Sequence, residues 1–301
     1  MSYRRRRSNS SLIGLLIALL VIALLGCGVL IYILLQDRKS ASVDDMVDVQ
    51  MMEELNNNAT GTEAELTDGK DYVIETVDQS GAGSGVFSEA YSVSMEEAAS
   101  EYGLPTDKKI DFASLKGQNS DVYAYIYIPE AGVDAPVLQN EENALHYDTY
   151  GLNGTEDGKG CVYTQILNGK DFQDNMTVIY GKASEDNQLA GMKAFRDPNY
   201  FQQNPYIYVY DENRVYIYQA FAAYQYPNRQ LIIFHNTADD MMYQIYLEQI
   251  KDYAGLGSNM NEDIWPGAGD RILTVSTEAG GLDDERFLVQ AKLVAVTNVN
   301  L

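Results

Sequence analysis

The stretch RILTVSTEAGGLDDERFLVQAKLVAV, Arg271 to Val296, decides the reading of the fold. Ile272, Leu273 and Val275 form a short β-rich run that ends at Ser276, Thr277 and Glu278. Ala279, Gly280 and Gly281 break it, Asp283 to Glu285 turn it, and Phe287 to Val296 return as a second strand opened by Arg286. Two strand ends meeting at a glycine-containing loop are a rigid place to mount reactive groups. This loop carries hydroxyls, carboxylates and a guanidinium. It carries neither thiol nor imidazole.

Outward from this stretch, composition narrows the function classes. The 301-residue chain has a formal net charge of −23. Six of its 21 Lys and Arg residues, but only Asp37 of its 44 acidic residues, precede Ala41. The remainder therefore sets 15 basic against 43 acidic groups, a surface that repels nucleic acid and anionic headgroups. Cys27 and Cys161 are the only cysteines. Cys27 lies in an apolar segment, so no disulfide framework is expected. No loop has the ligand spacing of a calcium motif, and neither a metal nor a cofactor is expected.

At the N-terminus, Arg4 to Arg7 precede the apolar run Leu12 to Leu35, long enough to cross a bilayer as a helix. The basic cluster then marks the cytoplasmic side, leaving everything after Gln36 outside the membrane. Leu24-Leu25-Gly26-Cys27 resembles a lipobox, the alternative anchor, although Gly28 to Leu35 continue apolar beyond it. The expected organisation is a basic tip and membrane helix over 1–36, a flexible acidic stalk over 37–93, and a folded domain over 94–301. In that domain Ser94 and Glu97 have capping-box spacing before a helix that stops at Gly103-Leu104-Pro105, and Asp111 to Gly117 fit a second helix. From Val122 the apolar period falls to two. Strands are expected at Val122 to Pro129, Ala135 to Leu138, Cys161 to Tyr163, Met176 to Tyr180, Tyr206 to Tyr210 and Arg214 to Tyr224, with a turn at Asp211-Glu212-Asn213. A short helix is expected at Met192 to Phe195, and a longer one over Thr237 to Leu256, with Met242, Ile245, Tyr246, Gln249, Ile250 and Tyr253 along one face. The class is mainly β: a closed barrel with inserted helices. The many strand tyrosines read as packing groups with hydroxyls at the rim.

The order of segments resembles a class B sortase, one of the membrane-anchored cysteine transpeptidases of Gram-positive bacteria. The resemblance rests on DFASLKGQNSDVYAYIYIP, on APVLQ followed by NALHYD, on TVIYGK where the family ends a strand Tyr-Gly-His, on NPYIYVY, on RILTVSTE where the family ends Ser-Thr-Cys, and on DDERFLVQAKLV with its arginine. It implies a sortase-type barrel over the whole region from about Ile110 to Val296. It also implies a catalytic trio: a cysteine that attacks a threonine-containing sorting signal, a histidine that protonates the leaving amine, and an arginine that holds the oxyanion. In this chain those positions carry Glu278, Lys182 and Arg286. A carboxylate is a far weaker nucleophile than a thiolate, and a lysine, ordinarily titrating near pH ~10.4, is a poor proton shuttle near neutrality.

Other side chains are candidate substitutes. Cys161 reads as a small buried strand residue, His146 as a loop-packing group, and His235 as a histidine without an evident partner. Ser276 and Thr277 fall where the family places structural hydroxyls, although Ser276 with Lys182 would form a Ser-Lys pair. The replaced pair restores opposite charges, so a Glu278–Lys182 salt bridge with Arg286 as a second cation is expected. Three functions stay open: a surface-displayed pseudoenzyme that binds a peptide, a surface-protein subunit or an active sortase through Arg286, Lys182, Glu278, Thr277 and Ser276; a transpeptidase or hydrolase with its nucleophile moved to Cys161 or Ser276; and a purely structural surface protein.

Overall fold

The computed structural model describes residues 91–183, 188–255, 257–278 and 285–299. The apolar run at 12–35, nearly all of the expected stalk, and the loop at 279–284 lie outside them. Among the described residues no helix is long and apolar enough to cross a membrane.

The described residues just before Ser94 pair with the barrel. Ser92 forms a parallel bridge with Val296, the Val93 amide donates to the Val296 carbonyl at 3.0 Å, and the Tyr91 hydroxyl donates to Asp270 at 3.2 Å. Helix α1 (Met95–Tyr102) starts as its capping residues dictate, with Ser94 Oγ accepting the Glu97 amide at 3.1 Å, and ends at Gly103 in the left-handed region at φ 66°. Helix α2 (Phe112–Gln118) is capped by Asp111.

Eight strands then close a barrel. They are β1 (Val122–Ile128), β2 (Val133–Leu138), β3 (Val162–Thr164), β4 (Met176–Tyr180), β5 (Tyr206–Tyr210), β6 (Arg214–Pro227), β8 (Ile272–Glu278) and β9 (Glu285–Asn298), in the order β5-β1-β2-β3-β4-β8-β9-β6 with β5 pairing β6. A short β7 (Asn259–Met260) extends β6. The alternation of buried and half-buried residues along β1 is the period of two read from VYAYIYI. Inward positions of all eight barrel strands meet in one apolar cluster that includes Ile126, Val137, Ile179, Val275 and Val289. The outward face forms a second cluster, in which Val178, Tyr180, Tyr224 and Leu288 pack beneath helix residues such as Leu231 and Tyr246.

Two helical expectations need correction. The long helix expected over Thr237 to Leu256 is split: α5 (Leu231–Phe234) precedes it, the helix proper, α6, covers Asp240–Ile250, and a 3-10 turn follows at Lys251–Tyr253. Asp239 supplies the N-cap, accepting the Met242 amide at 2.9 Å, and so fixes the start. The buried face of α6 is Tyr243, Tyr246, Leu247 and Ile250, whereas Met242 and Ile245 point outward. Short helices at His146–Thr149 (α3) and Pro198–Gln203 (α4) were not anticipated, and the helix expected at Met192 to Phe195 is the 3-10 segment Ala190–Arg196.

Candidate functional site

The fold brings the three singled-out charged positions to one edge. Strands β4 and β8 run parallel and are last paired at Tyr180 and Ser276, after which the Gly181 amide donates to the Ser276 carbonyl at 3.2 Å. Lys182 and Glu278 each stand two residues beyond that last pair. Arg286 faces Glu278 directly across the antiparallel β8–β9 ladder. The barrel itself thus sets carboxylate, ammonium and guanidinium side by side at the ends of three adjacent strands.

The side chains do not couple as the charges suggested. Among the described residues no ion pair within 4.0 Å joins Glu278 to Lys182. The Lys182 ammonium instead donates to the Gly158 carbonyl at 2.8 Å, and Glu278 is exposed. Arg286 Nε donates to Asn228 Oδ1 at 2.6 Å, and its guanidinium lies 5.9 Å from the Tyr180 ring. The expected salt bridge is therefore replaced by two local attachments. An exposed carboxylate gains little from a flexible lysine, because screening and lost rotamer freedom offset the attraction. A carbonyl within reach holds the ammonium at no comparable desolvation cost.

Lys182 forms one wall of a cleft of about 200 Å³ whose other lining residues include Asp157, Lys159, Gly160, Cys161 and Gln188. The wall at Gly160 has no room for a side chain. Its φ is 71°, and a Cβ there would lie 2.5 Å from the carbonyl oxygens of Tyr147 and Asp148. Asp157 turns the loop by accepting the amides of Lys159 at 2.8 Å and Gly160 at 3.0 Å. These two bonds, the Gly160 one foremost, hold its carboxyl below the usual range. Cys161 shares this cleft but is 5% exposed, and burial first, then the Asp157 charge, push its thiol up to about 12. Reactive thiols have the opposite setting, a cation or helix N-terminus that favours the thiolate.

The remaining candidates are equally unprepared for covalent work. Ser276 is fully buried and its hydroxyl makes no hydrogen bond, so no base is placed to activate it. Thr277 is buried on the opposite face of β8 and donates to the Phe287 carbonyl at 3.3 Å. His146 stacks on Tyr150 with ring centroids 4.1 Å apart, in keeping with loop packing. His235, for which the sequence suggested no partner, has one: its Nε2 lies 2.9 Å from the Tyr226 hydroxyl, and its ring packs on Tyr246 at 4.4 Å. Burial and nearby Arg229 lower its pKa to about 4, so it is neutral at pH 7.

Sequence reasoning missed Asn228, the group that orients Arg286, and Gly158, which holds Lys182. Neither carries a local signal. Asn228 matters only because β6 and β9 pair Tyr226 with Arg286, a register invisible in a single strand.

Comparison with known proteins agrees with this architecture. No family model matches the chain. Sortase B of Listeria monocytogenes is 24% identical over 213 residues, 69% of this chain and 84% of that protein. Sortase B of Staphylococcus aureus is 25% identical over 191 residues, 62% of this chain and 75% of that protein. Among solved structures, Clostridium perfringens sortase B superposes with a TM-score of 0.54 at 25% identity, covering 60% of this chain and 98% of its own. A Streptococcus pyogenes class B sortase involved in pilus biogenesis gives 0.53 at 22% identity, covering 61% and 98%. The chain has the sortase-type barrel, with class B sortases as homologues at low identity.

Proposed function

We propose that this chain is a non-catalytic sortase homologue, held at the cell membrane by the Leu12 to Leu35 segment with its barrel outside, that binds a peptide or surface-protein ligand without cleaving it. One observation carries the reading. The strand ends that would present a thiol and an imidazole present Glu278 and Lys182, and neither of the available substitutes, Cys161 or Ser276, is set up to attack. Arg286 remains, half-exposed and oriented by Asn228, as a guanidinium suited to a carbonyl or carboxylate of the ligand. The ligand class, a threonine-containing sorting signal or the protein that bears it, comes by analogy with the homologues.

The test is an assay of the full chain against a panel of sorting-signal peptides, reading binding by anisotropy and cleavage by mass spectrometry. Binding that weakens at least tenfold in Arg286→Ala, with no cleavage, is the expected result. Cleavage that disappears in Ser276→Ala or Cys161→Ala would show a relocated nucleophile and overturn the proposal. A complementary double substitution, Lys182→His with Glu278→Cys, restores the family's residues. Acylation of the new cysteine by an activated peptide, absent in either single variant, is expected if the groove survives and only the chemistry was lost.

A further inference from the structure

The exposed large apolar side chains of the described residues are not scattered. Five of the six, Phe234, Met241, Met242, Ile245 and Tyr253, belong to α5, α6 and the turn that follows, and the sixth is Leu167. Met241 is 63% exposed and Phe234 48%. Leu167 and α5 also bound a groove of about 600 Å³. Ile232 and Ile233 form one wall, Gln173 to Met176 the other, and Ala238 leads from it into α6. Gln173, in that wall, has a buried Nε2 that makes no hydrogen bond. None of Lys182, Glu278 and Arg286 lines this groove. Exposed apolar side chains gathered on one helical segment next to a formed groove suit an interaction surface, and exposed methionines suit a partner whose side chains they can mould around.

The charges around it choose the occupant. Asp171, Asp174, Asp239 and Asp240 border the groove, together with Glu141. The carboxylates outnumber the cations nearby: Lys170 pairs with Glu141 at 2.8 Å, while Arg271, on the Gln173 carbonyl at 3.1 Å, and Arg229, over the Phe234 ring at 4.6 Å, keep their charge but leave the face net acidic. A second copy of the chain, docked face to face, would set these carboxylates against one another. An anionic membrane surface would be repelled in the same way. We propose that the groove and the adjoining face of α6 dock a segment of a partner protein with apolar anchor residues flanked by lysine or arginine. This inference does not depend on the function proposed for the Arg286 site.

The probe is a pair of synthetic peptides with the same leucine and phenylalanine anchors, one flanked by lysines and one by glutamates. Each is titrated by anisotropy against the full chain in phosphatidylcholine nanodiscs. The lysine peptide should bind in the micromolar range, at least tenfold tighter than the glutamate peptide, and weaken on raising salt from 50 to 500 mM. Met242→Glu with Ile245→Glu, both exposed and so tolerated by the fold, should weaken it a further tenfold. Because added glutamates strengthen any unspecific attraction for lysine, a loss isolates the apolar contact. Equal binding of both peptides, no binding, or binding indifferent to the double variant would overturn the proposal. So would dimerisation in sedimentation velocity that the double variant abolishes, which would assign the face to a second copy.

Discussion

The decisive quantity for the non-catalytic reading is the reactivity of Cys161. An ordinary thiol with a pKa of 9.0 is about one-tenth ionised at pH 8, whereas one raised to about 12 is ionised to about one part in 10⁴. The thousandfold loss of thiolate is partly offset, because a more basic thiolate is intrinsically the better nucleophile. With a Brønsted slope of about 0.45, three units return roughly twentyfold. Ionisation alone therefore slows Cys161 by about fiftyfold, and its 5% exposure slows it further. The assay is iodoacetamide labelling at pH 8, with the Cys161 peptide quantified by mass spectrometry and the same chain in urea as reference. A native rate at least fiftyfold below the unfolded one is expected. A rate within tenfold would mean the thiol is neither buried nor raised in pKa, and the case against a relocated nucleophile would fail with it.

Three further outcomes follow from the geometry. Asn228→Ala removes the acceptor at 2.6 Å from Arg286 Nε and should cost about 1–2 kcal/mol in urea denaturation, with weaker ligand binding through the loosened guanidinium. Gly160→Ala places a Cβ against two carbonyl oxygens at a positive φ and should destabilise by about 2–4 kcal/mol, while Gly117→Ala, with open space around it, should not. His235 is neutral in the fold, with a pKa of about 4 against an ordinary value of 6.5. The unfolded chain binds the extra proton between those values, so this histidine's contribution is complete above pH 6.5 and is lost as pH falls toward 4. It amounts to about 1–3 kcal/mol after allowing for partial exposure. His235→Gln should flatten that part of the stability profile between pH 6.5 and 4.5, measured by urea midpoints.

Much of the barrel was legible because its strands carry their own period. Met176 to Tyr180 was bounded correctly from apolar content alone, and Ser94 announced α1 through its hydroxyl. Strand β6 runs three residues past the expected Tyr224, since its length is set by cross-strand pairing with β9 as far as Pro227 and Glu285. The orientation of α6 was misread for a different reason. With Met241, Met242, Tyr243, Ile245, Tyr246 and Leu247 in succession, apolar periodicity cannot choose a face. Hydrogen bonding chose it: the Tyr243 hydroxyl donates to the Asp270 carbonyl at 2.9 Å, and the Tyr246 hydroxyl accepts from Gln290 Nε2 at 2.6 Å. At the candidate site the family resemblance indicated which positions gather, and the β4–β8–β9 register places them at adjoining strand ends. The sequence did not indicate what the side chains there hold. Those partners, Gly158 and Asn228, sit in loops 24 and 58 residues away.

The join between Ser92 and Val296 has a mechanical corollary. Among the described residues, tension arriving from the amino-terminal side is borne by the Tyr91 hydroxyl on Asp270 at 3.2 Å and by the Val93 amide on the Val296 carbonyl at 3.0 Å. Val296 lies near the end of β9, which is laced to β8 on one flank and along its whole length to β6 on the other. Much of the load is thereby delivered to a strand paired along both flanks, and the edge bearing Glu278 and Arg286 lies at that strand's opposite end.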